Sequence, residues 1–230
     1  MTSIAANLQA VRARIAVACV AAGRSADSVQ LLAVSKTWPV ASVREAVAVG
    51  QRAFGENYVQ EAVDKAAELA ELELDWHFIG PLQSNKTRAV AENFAWVHSV
   101  DRLKIAERLA AQRPPELPPL QVCVQVNVSG EASKSGCGPD QAAALAHAVA
   151  ALPRLCLRGL MAIPEPSDDS RLQRSRFSLL RQLRDQLNAE GLGLDTLSMG
   201  MSEDLETAVM EGATIVRIGT AIFGQRDYTT

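Results

Sequence analysis

The chain of 230 residues carries few of the groups from which metal sites, disulfide scaffolds or nucleic-acid surfaces are built. Its four cysteines, Cys19, Cys123, Cys137 and Cys156, form no C-x-x-C pair, and its three histidines, His77, His98 and His147, are far apart and share no motif with them. That excludes the usual zinc spacings and the framework of a small secreted domain. Reduced thiols in a cytosolic protein explain the pattern. Cys19 and His147 fall in helical patterns and read as packing or surface residues. The formal net charge is −3 with scattered basic residues, so the basic stripe that a phosphate backbone demands is missing and nucleic acid is not an expected partner. No apolar run approaches the roughly 18 residues of a membrane span. The opening MTSIAANLQAVRARI lacks the apolar core of a signal peptide and reads as an amphipathic helix, with Ile4, Leu8, Val11 and Ile15 as its stripe. No membrane association is expected.

What the chain does have is a hydrophobic content of 48% and a regular alternation of short apolar runs with helical periodicity. Candidate strands are 31–36, 53–58, 76–80, 96–100, 120–128, 157–163, 196–201 and 214–224. They are unalternating, as parallel strands covered on both faces must be. Helices are predicted from Val43 to Val49, from Val59 to Leu72, after a cap at Asp101, from Asp140 to Leu152, and along an arginine-rich stretch with Leu172, Leu179, Leu183 and Leu187 at helical spacing. The proline-rich stretches 113–119 and 163–169 fall where loops are expected and are too short for domain linkers. Eight such units predict a single (β/α)8 barrel over residues 1–230 with an extra N-terminal helix, and a doubly wound open sheet is the alternative.

Barrels carry their chemistry at the C-terminal strand ends. Those positions hold Lys36, Asn57, the loop 80–86, Lys134 in SGEASKSGCG, Met161, Ser202, Arg217, Gly219 and Thr220. A lysine at the tip of a buried strand is a candidate Schiff-base amine. Ser202 at a helix start and Gly219-Thr220 suit the phosphate site that barrels build after strands seven and eight. A lysine across the mouth from a phosphate cradle is what pyridoxal 5′-phosphate (PLP) requires, and Arg217 is placed to face its pyridine nitrogen. Each residue also has a plain reading: Lys36 and Lys134 as solvated lysines, Ser202 as a helix N-cap, Asn57 as a turn former, Gly219 as a turn glycine, Arg217 as an ion pair, and His77 as a core histidine. Glu203 and Asp204 count against a phosphate beside Ser202.

The stretches AVSKTWP, FGENYVQEAVDK, WHFIGPLQSNK, NVSGEASKSG, RGLMAIP, SMGMSEDLETAV and RIGTAIFG, in order from Lys36 to Tyr228, closely resemble the pyridoxal phosphate homeostasis protein family. The resemblance implies a PLP-binding barrel similar to the N-terminal domain of alanine racemase, without that enzyme's second domain. It implies that Lys36 forms the Schiff base, that Ser202, Gly219 and Thr220 bind phosphate, that Arg217 faces the pyridine nitrogen and that Asn57 and Met161 line the pocket. It also implies that Lys134 is a secondary handling site. Trp38 stands in KTWP where family members often have a smaller or charged residue, and it is expected to shade the pocket mouth. An arginine on the ring nitrogen weakens the electron sink, and only Tyr58 and Tyr228 are available as a tyrosine acid. The expectation is therefore a cytoplasmic, monomeric, non-catalytic protein that buffers or delivers PLP, with PLP-dependent apoenzymes as recipients. A low-activity racemase or decarboxylase using His77, and an aldolase barrel without PLP, are the alternatives.

Overall fold

A computed structural model describes residues 3–131 and 135–225. Eight parallel strands close into a barrel in sequence order: β1 (Gln30–Val34), β2 (Ala53–Glu56), β3 (Asp75–Phe78), β4 (Trp96–Val100), β5 (Leu120–Gln125), β6 (Leu155–Met161), β7 (Thr196–Ser198) and β8 (Ile215–Ile218). The last strand closes on the first with Leu32 opposite Arg217 and Ala33 opposite Ile218. Around them run α1 (Ile4–Ala21), α2 (Val40–Ala48), α3 (Val59–Glu68), α4 (Thr87–Asn93), α5 (Leu103–Gln112), α6 (Pro139–Ala150), α7 (Ser170–Ala189), α8 (Leu205–Met210) and α9 (Thr220–Phe223). The closed barrel excludes the open-sheet alternative.

Strand residues that face outward, among them Ala33, Phe54, Phe78, Val97 and Leu160, join the helices in the main core. The inward positions divide into two kinds. Leu32, Val34, Ala53, Ile79 and Ile215, from β1 to β3 and β8, form a small apolar cluster. The remaining interior carries the buried polar residues His77, His98, Ser198 and Arg217, with Cys123 and Met161 beside them.

Several boundaries differ from the sequence reading. The strand predicted over 214–224 ends at Ile218, because Thr220–Phe223 turns into α9. Asp101 does not cap α5; Arg102 stands at the cap position with no side-chain bond, and Asp101 instead binds Arg102. α4 follows the loop 80–86 in a stretch where no helix is predicted from the sequence; at seven residues it is too short to show a period. The N-terminal helix buries Leu8, Val11, Ile15, Ala18 and Cys19, yet its opposite side exposes Val17 and Val20. Contrary to the reading that no run reaches membrane-spanning length, Ile4–Ala21 is long and apolar enough to cross a membrane by length and composition. Many alanines raise its mean hydropathy while its Leu8 stripe packs on the barrel.

Candidate functional site

Lys36 leaves β1 in a tight turn and is half-buried. Trp38 N–H closes the turn on the Ser35 carbonyl at 3.0 Å. Thr37 has a φ of 66°, a left-handed conformation that a β-branched residue adopts only when its surroundings enforce it. The enforcement comes from α3. Glu61 Oε1 accepts the Thr37 N–H at 2.6 Å, and Lys65 Nζ donates to Glu61, to Glu56 and to the Ser35 carbonyl at 2.6, 2.8 and 2.7 Å. Ser35 Oγ donates to the same Glu56 oxygen. Burial pushes the Glu56 carboxyl up, against the attraction of Lys65. This ionic clamp was not found in the sequence, where Lys65 is one more charge on an amphipathic helix. A signal was there: Lys65 lies four residues beyond Glu61 and nine beyond Glu56.

Asn57 follows β2. Its backbone is packed against Gly80, where a Cβ would lie 2.3 Å from the Asn57 carbonyl oxygen. Only glycine allows that approach of the two loops. The side-chain Oδ1 of Asn57 is buried and has no hydrogen-bond partner.

Across the mouth, Ser202 and Thr220 come together. Ala221 N–H donates to Ser202 Oγ at 3.4 Å, which links the loop after β7 to α9. Ser202 is not the N-cap of α8: that helix begins at Leu205 with Asp204 at the cap position, and Asp204 binds the Met201 N–H instead. Gly219 has a φ of −113°, open to any residue, so no turn demands glycine there. Helix α1 braces this side. Arg14 donates to the Ser202 carbonyl at 3.0 Å and pairs with Glu206, and Asn7 donates to the Ile222 carbonyl. Trp38 stacks on Phe223 at 5.8 Å between centroids, tying the Lys36 turn to α9.

Arg217 lies inside the barrel at the same end. Its backbone N–H reaches Gly200, where φ is 97° and a Cβ would strike Ala208. The guanidinium donates to Ser198 Oγ and to the Ala162 carbonyl, both at 2.9 Å. Both acceptors are neutral, and burial lowers the Arg217 pKa to about 10. Met161, fully buried at the end of β6, stands opposite Ser198 in register.

His77 is the core histidine of the plain reading, stacked on Trp96. Its Nδ1 lies 2.9 Å from His98 Nε2, and desolvation holds its pKa down at about 3. The fold thus gathers Lys36, Asn57, Met161, Ser202, Arg217, Gly219 and Thr220 at one end of the barrel. Lys134 and Tyr228 lie outside the described residues.

A barrel with an amine, a buried guanidinium and a loop pair of this kind belongs to a known class: the alanine racemase N-terminal domain family matches residues 4–227. The chain is 66% identical to a pyridoxal phosphate homeostasis protein of Pseudomonas aeruginosa, over 99% of this chain and 98% of that one. It is 58% identical to the protein of that name in Vibrio cholerae, over 100% of this chain and 99% of that one. The solved structure of PipY from Synechococcus elongatus, with PLP bound, superposes with a TM-score of 0.84 at 39% identity, covering 96% of this chain and 100% of that one. The chain belongs to the pyridoxal phosphate homeostasis protein family.

Proposed function

We propose that this protein binds PLP at the mouth of the barrel and serves as a cytoplasmic buffer or carrier of the cofactor, not as an enzyme. The observation that carries the reading is the buried guanidinium of Arg217, held by two neutral oxygens on the strand next to the one that leads into the Lys36 turn. The residues present fit the cofactor. Asn57 Oδ1 is a buried acceptor with no protein partner, Lys36 supplies an amine, and Ser202 and Thr220 supply hydroxyls beside the Gly219 backbone. PLP brings an aldehyde that joins reversibly to an amine and a ring that can withdraw electrons from what is attached.

In this arrangement Lys36 would supply the amine for the aldehyde, and the clamp of Lys65, Glu61 and Glu56 fixes the turn from which it projects. Ser202, Gly219 and Thr220 would hold the phosphate, and Met161 and Asn57 would line the pocket. Arg217 would donate to the ring nitrogen and, staying charged, would disfavour a proton there, which would make the ring a weak electron sink. Turnover also needs an acid or base on the face opposite the lysine. His77 is a poor one: it is fully buried, bonded to His98 and disfavoured as a cation. Tyr58 is exposed. These features favour holding and releasing PLP over converting an amino acid; the proposed carrier is a monomer with PLP-dependent apoenzymes as its recipients.

The test is borohydride reduction of the PLP-loaded protein followed by mass mapping. The expected result is a pyridoxyl group on Lys36, absent from Lys36→Ala, whose melting temperature stays close to that of the parent. A protein left unmodified sinks the reading, and amino-acid turnover lost with Lys36→Ala establishes an enzyme instead.

A further inference from the structure

The polar side of the barrel interior holds a continuous hydrogen-bonded chain that no sequence motif announces. Arg217 Nη1 donates to Ser198 Oγ at 2.9 Å. Ser198 Oγ lies 2.7 Å from His98 Nδ1, and His98 Nε2 lies 2.9 Å from His77 Nδ1. The four side chains come from β8, β7, β4 and β3, and all are buried.

Arginine fixes one end of this chain, because it can only donate. Ser198 Oγ accepts from Arg217 and keeps one hydrogen and a second lone pair, so it can either donate to His98 Nδ1 or accept from it. In the first arrangement His98 carries its proton on Nε2, donates to His77 Nδ1, and every donor points away from the guanidinium. His77 Nε2, buried and without a hydrogen-bond partner among the described residues, ends the chain. Protonating His98 would set a second cation beside the first. The surroundings agree: desolvation, then the charges of His77 and Arg217, keep His98 well below its usual pKa. Cys123, on β5 nearby, is held up at about 12 by burial and carries no charge. Arg158 reaches the chain through the Trp96 ring and is paired with Asp195, and Asp204, in the loop after β7, is the carboxylate whose charge reaches Arg217.

We propose that His77, His98 and Ser198 are positioning residues for Arg217. Their neutral chain, directed from Arg217 through Ser198 and His98 to His77, holds the guanidinium at the barrel mouth without an ion pair, leaving its charge for the ring nitrogen of the bound cofactor. The inference rests on the PLP reading above for the identity of that nitrogen. A carboxylate in place of Ser198 would orient the guanidinium equally well but would neutralise its charge. A hydroxyl backed by two neutral imidazoles orients without neutralising. A chain that merely filled the barrel core would need neither a fixed polarity nor contact with the cofactor-facing arginine.

The first experiment needs no cofactor. Nitrogen-15 NMR of the imidazoles in the intact protein, with His147 on the surface as reference, is expected to show His77 and His98 neutral from pH 8 to 5, both with the proton on Nε2. A proton on Nδ1 of either, or protonation of either near pH 6, overturns the relay. The second uses the PLP-loaded protein. Ser198→Ala and His98→Leu are each expected to speed PLP release by about tenfold, the effect of one lost hydrogen bond to a charged group. Each should also move the pH at which the absorption band of the bound cofactor changes, by about one unit. Ser198→Thr, which keeps the hydroxyl, should restore both. An unmoved band with unchanged release, or equal damage from Ser198→Thr and Ser198→Ala, overturns the positioning role. If the parent protein takes up no PLP, the cofactor reading fails, while the imidazole spectra still decide the relay. They also decide it if Ser198→Ala does not fold.

Discussion

Arg158 and Arg217 both project from strands of one barrel, and they are treated in opposite ways. Arg158 is half-buried, binds Asp195 with two nitrogens, donates to Gln121 and lies 5.2 Å over the Trp96 ring. Its hydrogen bond with Asp195 raises its pKa. Arg217 is buried and forms no ion pair with a carboxylate among the described residues; burial lowers its pKa, against the more distant charge of Asp204. Lys65 stands at the far limit, a buried ammonium with two carboxylates in contact. Neutral partners alone do not mark a site, since Arg113 is also buried and ties together the carbonyls of Pro118, Ala91 and Phe94 in the scaffold. What sets Arg217 apart is its place inside the barrel at the strand ends, where one hydroxyl and one carbonyl hold it. A buried, unpaired guanidinium at that end of the barrel is the difference between the two regions.

The comparison can be broken at several points. Lys65→Met should have the largest effect on stability, about 3–5 kcal/mol, because it leaves the buried Glu56 carboxylate without its partner; chemical denaturation measures it. The same variant should slow PLP attachment at Lys36, since the Thr37 turn loses its anchor.

Acid should act next through the two buried imidazoles. Both have folded pKa values below the unfolded value of about 6.5, His77 at about 3. Below pH 6.5 the unfolded chain therefore binds the extra protons. Their contribution to stability is complete above about pH 6.5 and is lost as the pH falls toward 3, by up to about 1.4 kcal/mol per unit for each imidazole. Denaturation curves at pH 7 and 5 should show this slope, and His98→Leu should reduce it.

The two arginines then separate by readout. Arg217→Met should leave stability within about 1 kcal/mol, since an uncompensated buried cation is replaced by an apolar chain, yet PLP retention should fall by about 10–100-fold. Arg158→Met should do the reverse: about 1–2 kcal/mol of stability lost with the ion pair and ring contact, and retention unchanged. Equal effects on retention would erase the distinction. Ser202→Ala should be mildest, weakening retention by about 1 kcal/mol while Lys36 labelling persists.

Much of this was legible in the chain. All eight strands overlap the short unalternating apolar runs that predict them, since a parallel strand buried on both faces leaves that pattern whatever its neighbours are. The strand-end rule of barrels then selects Lys36, Asn57, Met161, Ser202, Arg217 and Thr220 by position alone. Less legible were features whose partners lie far away in the sequence. Ser202 has the local look of a helix cap, yet its oxygen serves Ala221, nineteen residues on. His77 and His98 look like two unrelated histidines, and Lys65 looks like a surface charge.

The sequence by itself determined the barrel, its strand order and the set of residues at its mouth, because hydrophobic period and chain order are local properties. Only the tertiary structure decided which charges are paired, which side chains the histidines meet and how the Lys36 turn is clamped. Those depend on distances between strands that β-barrel closure brings together, and on a desolvation that no residue experiences until the chain around it has folded.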